Sequence, residues 1–273
     1  MTPALTLSAV DIGFAALLLA VNVALSVIYG LGVHRSLVVA AMRMIAQLAL
    51  VGLVLHYVFA SKSMWMTLAA ATVMVAAAAL EVRQRQSPRI RGFGVAGLGL
   101  GALSLIGAAL TFYVVSVVIG PVATNTPGLI TSFSPRHVLP ILGMILGNSL
   151  TALSLALSTF ADLARREHAS IEAQLALGHS AREAFQPISR RAMRTAMLPV
   201  INAMAVIGLV TLPGMMTGQI LAGADPTDAA KLQIMIMFAI SAASGLGAFA
   251  AVRGGLHLLT DDRQRLRIDR IAA

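Results

Sequence analysis

The sequence predicts an all-α, polytopic membrane protein with about seven transmembrane helices. Hydrophobic residues make up 58% of its 273 residues and charged residues only 11%, whereas a soluble domain is about half apolar and a quarter charged. The apolar residues are grouped in stretches of about 20, the length that a helix needs to cross the hydrocarbon core. The basic residues are concentrated in every second connection. We therefore expect residues 1–273 to form a single transmembrane domain.

Seven apolar segments follow one another along the chain. Each is predicted to be a helix because its apolar run continues until glycine, proline or a charged cluster ends it. The segments cover about residues 9–29, 37–59, 64–80, 93–119, 137–160, 196–221 and 232–252. The third has a short apolar core, and if it were re-entrant the orientation of the first two would be reversed. Small-residue pairs, Gly97 with Gly101 and Gly143 with Gly147, predict close helix packing.

The positions of lysine and arginine predict the orientation, since cytoplasmic loops retain these residues. With the N-terminus outside, the inner connections hold most of them, near residues 35, 83–91, 165–194 and 253–270. This N-out, C-in topology explains the net charge of +9 without a nucleic-acid partner, because no basic patch is interleaved with aromatic residues. We expect a multi-pass protein of the cell (inner) membrane, with the lipid bilayer as its solvent.

The chain lacks the signatures of an enzyme. It contains no Gly-x-x-x-x-Gly-Lys-Ser/Thr loop for ATP phosphates, and its lysines are Lys62 and Lys231. It has no cysteine, which excludes thiolate metal sites and nucleophilic thiols. Its 6 histidines are scattered and form no His-Glu-x-x-His pattern. We expect a chain without catalytic residues and without a cofactor of its own.

The connection between segments five and six, residues 162–194, is predicted to form a structured cytoplasmic segment. Helix-forming residues dominate up to Leu177, and Gly178 suits the left-handed position that ends a helix. Ser180 and Glu183 have the spacing of a capping box at the start of a second helix. The apolar face of that helix consists of Ala181, Ala184, Phe185 and Ile188. The pattern predicts two short helices with an elbow at Gly178.

This segment resembles the EAA loop of ABC transporter permeases, which docks as a coupling helix into a groove of the ATPase subunit. The resemblance rests on Glu172-Ala173, Gly178 and Ile188, although Arg190-Arg191 stand where that loop has Leu-Pro. It implies an ATPase-coupling site. The implied site comprises Glu172, Ala173, Gly178, Ser180, Glu183, Phe185 and Ile188.

Nearly the whole chain is similar to the FetB-type family of ABC permeases. The motifs that carry the similarity are Arg43 with Gln47-Leu48, Pro140 with Gly147-Asn148, Pro199 with Asn202, and Leu212-Pro213-Gly214-Met215-Met216-Thr217-Gly218-Gln219. That family is linked to iron export, and its plant relatives to aluminium tolerance and proposed UDP-glucose export. The resemblance implies a permease subunit that dimerises and is driven by a separate ABC ATPase subunit, which would bind ATP and Mg. Its cargo stays open between iron, a nucleotide sugar and another solute.

Polar residues within the predicted spans are candidates for the pathway. Arg43 would cost at least about 2.5 kcal/mol at the centre of a lone helix. We therefore expect either an ion pair with Glu81 or a role in the pathway. Gln47, Asn148 and Asn202 are interpreted as interhelical hydrogen-bond partners, with substrate contact as the alternative.

A gate is predicted in segment six. Pro213-Gly214 should break the helix, because proline removes a backbone donor and glycine loosens the turn. Met215 and Met216 point about 100° apart on a helix, which favours packing over chelation of one ion, and any metal ligands stay unknown. Gln219 completes the candidate gate. Asp225 and Asp228 form either a helix cap or a cation-attracting exit.

Two hypotheses of other classes stay open. A stand-alone channel or secondary carrier would use the same polar groups without a cytoplasmic partner. A membrane scaffold without transport would have no use for an interrupted sixth segment. Co-purification with an ATPase distinguishes the ABC permease from both of these alternatives.

Overall fold

The computed structural model describes residues 9–61, 63–85, 94–119, 134–261 and 263–271, which belong to two compact units, Met1–Ser61 and Lys62–Ala273. Within these ranges every secondary-structure element is a helix, as the composition predicts. Arg89 and Arg91, which are predicted to lie in an inner connection, and the polar loop at 120–133 lie outside the described residues.

The first unit is a pair of long apolar helices, α1 (Ala9–Ile28) and α2 (His34–Ser61). Gly30 and Gly32 turn the chain between them with φ angles of 64° and 70°, a conformation that glycine adopts without a Cβ penalty. The buried hydroxyl of Ser26 accepts the N–H of Val33 at 3.1 Å. This bond fixes the turn to the end of α1.

The second unit is built on two long helices that run in the same direction, α5 (Pro135–Arg166) and α10 (Pro226–Leu259). A Cβ placed on Gly247 of α10 would lie 2.9 Å from the carbonyl oxygen of Ser149, and one on Gly255 would lie 2.9 Å from the ring of Phe160. Both neighbours are on α5. The contact moves from Ser149 to Phe160 along α5 as it moves from Gly247 to Gly255 along α10, so the two helices are parallel. Glycine thus allows the two backbones to approach closely.

Helices α3 (Met64–Arg85) and α4 (Gly94–Tyr113) pack against this pair, and the π-helical turn Val114–Ile119 extends α4. A Cβ on Gly99 would lie 3.2 Å from Val82, and one on Gly107 would lie 2.9 Å from Leu146. A Cβ on Gly94 would lie 2.4 Å from Leu258, and one on Gly254 would lie 2.4 Å from Leu98, so α4 is antiparallel to α10 and therefore to α5.

The chain between α5 and α10 returns along the bundle. It forms α6 (His168–Ala176), α7 (Ala181–Ala184), α8 (Gln186–Val206) and α9 (Gly214–Leu221). At one end Ile188 shares a core cluster with Leu259, and farther along α8 Val200 packs against Ile236 and Ile240. Helix α8 is therefore antiparallel to α10. After α10, a short 3-10 turn spans Ile268–Arg270.

Six helices of the described residues are long and apolar enough to cross a membrane: α1, α2, α3, α4, α5 and α10. The predicted segment 196–221 is divided between α8 and α9, and α8 begins with polar and basic residues. The chain is thus a multi-pass membrane protein of the predicted fold class. The total of seven crossings and the N-out orientation stay predictions.

The predicted close packing of the small-residue pairs is present at Gly143 only. A Cβ on Gly143 would lie 3.2 Å from Met74, but one on Gly97, Gly101 or Gly147 would have no described atom within 4 Å. Gly97 and Gly101 lie on the exposed face of α4. The buried face instead carries Val95, Gly99, Leu103 and Gly107. The sequence does not identify this face, because hydrophobic periodicity cannot distinguish the faces of a uniformly apolar helix.

Candidate functional site

The elbow predicted at Gly178 is present. Gly178 has a φ of 91°. Its N–H donates to the carbonyl of Leu175 at 3.0 Å, and the N–H of His179 donates to that of Gln174 at 3.1 Å. This pair of bonds is a Schellman motif. A residue with a β-carbon would pay about 1–2 kcal/mol for the left-handed conformation, so glycine fits the turn.

The capping box predicted after the elbow is also present. The N–H and the hydroxyl of Ser180 both donate to the Glu183 carboxylate, at 2.9 and 2.7 Å, and the N–H of Glu183 donates back to the Ser180 hydroxyl at 3.3 Å. The hydrogen bonds from the side chain and backbone of Ser180 lower the pKa of Glu183. The box therefore favours an ionised Glu183.

The second helix of the segment differs from the prediction. The capping box starts α7, which is a single turn, and α8 begins directly after it at Gln186. Pro187 lies in the first turn of α8 and cannot donate a hydrogen bond to the preceding turn. The elbow is thus joined through one short turn to the long helix α8.

The side chains of the predicted coupling site divide into two groups. Glu172, Ala173 and Glu183 are exposed and Ser180 is half-buried. Phe185 and Ile188 are instead buried, at 0% and 1% exposure. A partner could contact the first group only, whereas the second group attaches the elbow to the bundle.

The attachment is aromatic. The ring of Phe185 stacks on that of Phe160 from α5, with centroids 5.6 Å apart and an interplanar angle of 23°. Offset aromatic pairs add about 0.5–1.5 kcal/mol to the burial of the rings. Ile171 of α6 and Ile188 of α8 belong to the same core cluster. The elbow is therefore packed directly on α5.

Arg191, one of the two arginines that depart from the EAA pattern, has a local role. Its guanidinium forms an ion pair with Glu167 at the junction of α5 and α6. The two side chains are 51% and 34% exposed, and exposed pairs contribute about 0–1 kcal/mol. The ion pair therefore contributes little to the free energy of unfolding, and its main effect is to orient α8 against this junction.

The C-terminal tail contributes residues that the sequence did not predict. We call the described residues 260–261 and 263–271 the C-terminal hook. The Oε1 of Gln264 accepts the N–H of Ala181 at 3.0 Å, directly after the elbow. Leu266 and Ile271 pack on the main core. The only sequence signal for this docking was the presence of these apolar residues in a charged run.

The hook has a defined turn. Asp261 accepts the N–H groups of Arg263 and Arg265 at 3.0 and 2.8 Å. These bonds, that from Arg265 most strongly, lower the pKa of Asp261. Gln264 has a φ of 56°, which the turn around Asp261 holds in place. The backbone thus presents the Gln264 amide to the elbow.

A polar cleft of about 750 Å³ lies between α6 and the C-terminal hook. Its walls are Glu172, Leu175, Gly178, His179, Arg263, Gln264, Arg265 and Leu266. The exposed side chains of Arg263 and Arg265 give the hook side a positive charge, and Glu172 lies on the other side. The cleft joins the predicted coupling residues to the hook in one surface.

The break predicted in segment six is present but begins earlier than Pro213-Gly214. Helix α8 ends at Val206, and α9 starts at Gly214. Gly208 has a φ of 88°, and its N–H donates to the carbonyl of Thr211 at 2.9 Å. Pro213 has a φ of −62°, which suits the start of a helix. Gly208 therefore turns the chain, and Pro213 begins the next helix.

The polar pathway candidates are not gathered into one polar site in the second unit. Asn148 and Asn202 are exposed and Gln219 is half-buried. The amide of Asn148 donates to the carbonyl of Met144 at 2.8 Å, so its described bond lies within α5 and is not the predicted interhelical bond. The described residues contain no group of three His, Cys, Asp or Glu that could hold a metal ion.

Other candidates have local explanations. Arg43 and Gln47 lie on the exposed surface of α2 in the first unit, and the ion pair of Arg43 with Glu81 stays a prediction. The Arg85 guanidinium donates to Glu81 at 3.3 Å. Met215 packs against Val200, Ile236 and Ile240, as the packing interpretation predicts.

Asp225 and Asp228 form a helix cap. Asp225 accepts the N–H groups of Thr227 and Asp228 at 2.8 and 3.3 Å. The ammonium of Lys231 binds Asp228 at 2.9 Å. The cap interpretation is confirmed for Asp225, whereas the carboxylate of Asp228 pairs with Lys231.

Comparison with known proteins identifies relatives over most of the chain. The family model described as "Uncharacterised protein family (UPF0014)" matches residues 9–259. The UPF0014 membrane protein slr1647 of Synechocystis is 37% identical over 241 residues, which cover 88% of this chain and 89% of the relative. Protein ALUMINUM SENSITIVE 3 of Arabidopsis thaliana is 31% identical over 215 residues, or 79% and 74% of the two chains.

A bacterial relative carries a functional name. The probable iron export permease protein FetB of Escherichia coli is 29% identical over 241 residues, which cover 88% of each chain. No solved structure matches the chain.

Proposed function

The chain belongs to the UPF0014 family of membrane proteins, and from this premise we propose that it is the permease subunit of an ABC exporter. The ATP and Mg would be bound by a separate ATPase subunit, since this sequence has no phosphate-binding loop. Two copies of the permease would form the transmembrane pathway. The observation that carries the proposal is the elbow, which combines an exposed polar surface with a buried aromatic attachment.

The exposed surface of the elbow suits docking of a partner. Glu172 and Ala173 lie on the outside of α6, and the cleft beside them is lined by the arginines of the C-terminal hook. Electrostatic complementarity orients partners and excludes wrong ones. We therefore expect the ATPase to present polar and acidic groups toward the hook side of this cleft.

The buried attachment suits transmission of a movement. A push on α6 or α7 would reach α5 through the stacked rings of Phe185 and Phe160. It would also reach α8, which continues from α7 toward the break at Gly208. Packed elements respond by discrete shifts rather than by continuous deformation. The elbow and the break are thus the lever and the gate of the proposed mechanism.

Iron is the proposed cargo. This assignment rests on the printed name of the Escherichia coli relative, a probable iron export permease. Since no described cluster of imidazole and carboxylate ligands is present, a ferrous ion would not be held in a tight resident site of one described chain. A pathway with weak sites agrees with transport, because conduction requires release as well as binding.

Co-purification tests the proposed coupling. The tagged permease is purified in mild detergent from membranes of its own host, and associated proteins are identified by mass spectrometry. We expect an ABC ATPase in stoichiometric amount. Glu172→Lys should remove it because the charge of the exposed α6 surface is reversed. Gly178→Pro should do the same because proline cannot adopt a φ of 91° or donate the bond to Leu175.

The matched control is Asp228→Lys, the same charge reversal on an exposed side chain at the other end of the bundle. All three variants should insert into the membrane as the wild type does. The absence of an ATPase from the wild-type preparation, or its full retention by Glu172→Lys and Gly178→Pro, would refute the proposal. Reconstituted vesicles with the ATPase then compare ATP-dependent transport of ferrous iron and of a nucleotide sugar.

A further inference from the structure

A second cavity lies beside the break between α8 and α9. We call the segment from Gln186 to Leu221, which comprises these two helices and the break, the α8–α9 run. Its volume is about 440 Å³, and its lining includes Met204, Ile207, Met216, Gln233, Met237 and Phe238. These residues come from the end of α8, from the break, from α9 and from α10. The cavity shares no lining residue with the cleft at the elbow.

One buried polar atom in the cavity wall lacks a partner. Gln233 is 7% exposed, and its Oε1 has no hydrogen-bond partner among the described residues. A buried acceptor without a partner costs about 1–3 kcal/mol, and such an atom in a native structure requires an explanation. An acceptor oxygen is satisfied by a hydrogen-bond donor or by a cation.

The other heteroatoms of the wall favour a cation. Met204, Met216 and Met237 supply thioether sulfurs from three different helices, and thioethers prefer soft metal ions such as Cu(I). The cavity also includes Ile207, directly after the last residue of α8. The C-terminal end of a helix carries a partial negative charge that favours cations.

The charge of the favoured ion follows from the lining. No acidic, basic or histidine side chain is among the residues that line the cavity. Neutral ligands compensate one positive charge more easily than two, because the cost of burying an ion rises steeply with uncompensated charge. Hard divalent ions instead require carboxylates, carbonyls and water. The ligand set therefore selects a soft monovalent cation.

We propose that this cavity binds Cu(I) or Ag(I) through the sulfurs of Met204, Met216 and Met237 and the Oε1 of Gln233. The adjacent methionines of the sequence act differently in the structure. Met216 lines the cavity, whereas Met215 packs in a neighbouring apolar cluster. Binding is a property of this chain alone, and only its use as a transport site rests on the proposed function.

Silver titration tests the site, because Ag(I) is stable to oxidation under conditions where Cu(I) is not. The full chain, purified in detergent and labelled with 13C at the methionine methyl groups, is titrated with silver nitrate. Of the 14 methionine signals, we expect those of Met204, Met216 and Met237 to shift together and to saturate at one equivalent. Single Met→Leu variants assign the signals. This measurement on the wild type does not depend on the folding of a variant.

Affinity measurements give the second readout. Met204→Leu, Met216→Leu and Met237→Leu should each weaken silver binding by at least about tenfold to a hundredfold, since loss of an outer-shell partner alone costs a metal site that much. Met215→Leu is the matched control and should keep the wild-type affinity. Scattered shifts of many methionine signals, or equal losses in Met215→Leu and Met216→Leu, would overturn the site.

The test is separate from that of the proposed function. Silver binding without ATPase co-purification would support the cavity and refute the ABC subunit. ATPase co-purification without saturable silver binding would support the subunit and overturn the cavity as a metal site, leaving its methionines as adaptable packing.

Discussion

Phe185 stacks on Phe160 with ring centroids 5.6 Å apart, and both side chains are fully buried. Phe185 lies between α7 and α8, and Phe160 lies in the last third of α5. This contact joins the exposed elbow to the longest parallel helix pair of the bundle. Any movement of the elbow must carry Phe160 with it or break the stack.

Phe185→Ala should both destabilise the chain and uncouple it. Removal of a buried ring costs about 3–5 kcal/mol, so the thermal midpoint of the purified protein should fall. In complex with the ATPase, stimulation of ATP hydrolysis by cargo should be lost. Phe185→Leu keeps most of the volume and should recover most of the stability. A wild-type midpoint for Phe185→Ala would show that the stack does not hold the elbow.

Gln264→Leu should release the C-terminal hook from the elbow. The substitution removes the oxygen that accepts the N–H of Ala181 at 3.0 Å. We expect faster hydrogen exchange at the Ala181 amide and faster tryptic cleavage after Arg263 and Arg265. Gln264→Glu retains an acceptor oxygen and should exchange at close to the wild-type rate. Equal exchange rates in wild type and Gln264→Leu would mean that the bond is not maintained in solution.

The elbow was predictable because its residues have local roles. Gly178, Ser180 and Glu183 specify a helix end and a helix start through neighbours in sequence, and the structure contains both. The surface that the Phe185 side chain contacts was less predictable. Its apolar character was compatible with a partner's groove as well as with α5, and only the tertiary fold selects the core.

The remaining differences come from uniform hydrophobicity. In α4 every face is apolar, so the sequence could not distinguish exposed Gly97 and Gly101 from buried Gly99. The sequence predicts the break in segment six at Pro213-Gly214, because proline is the stronger sequence signal. Gly208 begins the break in the structure. Its left-handed conformation is accompanied by a hydrogen bond to the carbonyl of Thr211, which no sequence motif predicts.

Stability of the capping box should depend on pH. The pKa of Glu183 is lowered from its ordinary value of 4.5 by the hydrogen bonds of Ser180. A lowered folded-state pKa means that the stabilisation is fully present above the ordinary value and is lost as pH falls through the folded value. We expect the exchange protection of the Ser180 amide, corrected for intrinsic rates, to be constant above pH 4.5 and to decline below it.

Glu183→Gln is the control for this titration. Glutamine keeps an acceptor oxygen for the N–H of Ser180 but does not ionise. Its protection should be lower than that of the wild type at neutral pH and should not change across the acidic range. A decline of equal size in Glu183→Gln would assign the pH dependence to other groups.

Two glycine-to-alanine substitutions should differ in their effect on thermal stability. Alanine is favoured over glycine by about 1 kcal/mol within a helix. At Gly247, however, the new Cβ would lie 2.9 Å from the carbonyl oxygen of Ser149, and overpacking costs about 1–3 kcal/mol or more. Gly247→Ala should lower the thermal midpoint, whereas Gly101→Ala, with no described atom within 4 Å, should not. A midpoint for Gly247→Ala at or above that of Gly101→Ala would contradict the close approach of α5 and α10.

The direction of the α8–α9 run predicts the sidedness of the chain. Helices α5 and α10 are parallel, so the elbow and the C-terminal hook lie at one end of the second unit and Ala224 lies at the other. If the arginine-rich end is cytoplasmic, the α8–α9 run must carry the chain back across the membrane despite its polar start and its break. This would make seven crossings, with the N-terminus outside.

Cysteine labelling in intact cells measures this sidedness, and the absence of native cysteine makes each introduced thiol a single probe. Ala224→Cys should react with a membrane-impermeant maleimide from outside. His179→Cys, at the exposed elbow, should react only after the cells are opened, and Leu31→Cys, between α1 and α2, should behave in the same way. If Ala224→Cys and His179→Cys react from the same side, the segment from α8 to α9 does not cross the membrane, and the parallel arrangement of α5 and α10 is contradicted. If Leu31→Cys reacts from outside together with Ala224→Cys, the orientation of the first two helices is reversed, as a re-entrant third segment would require.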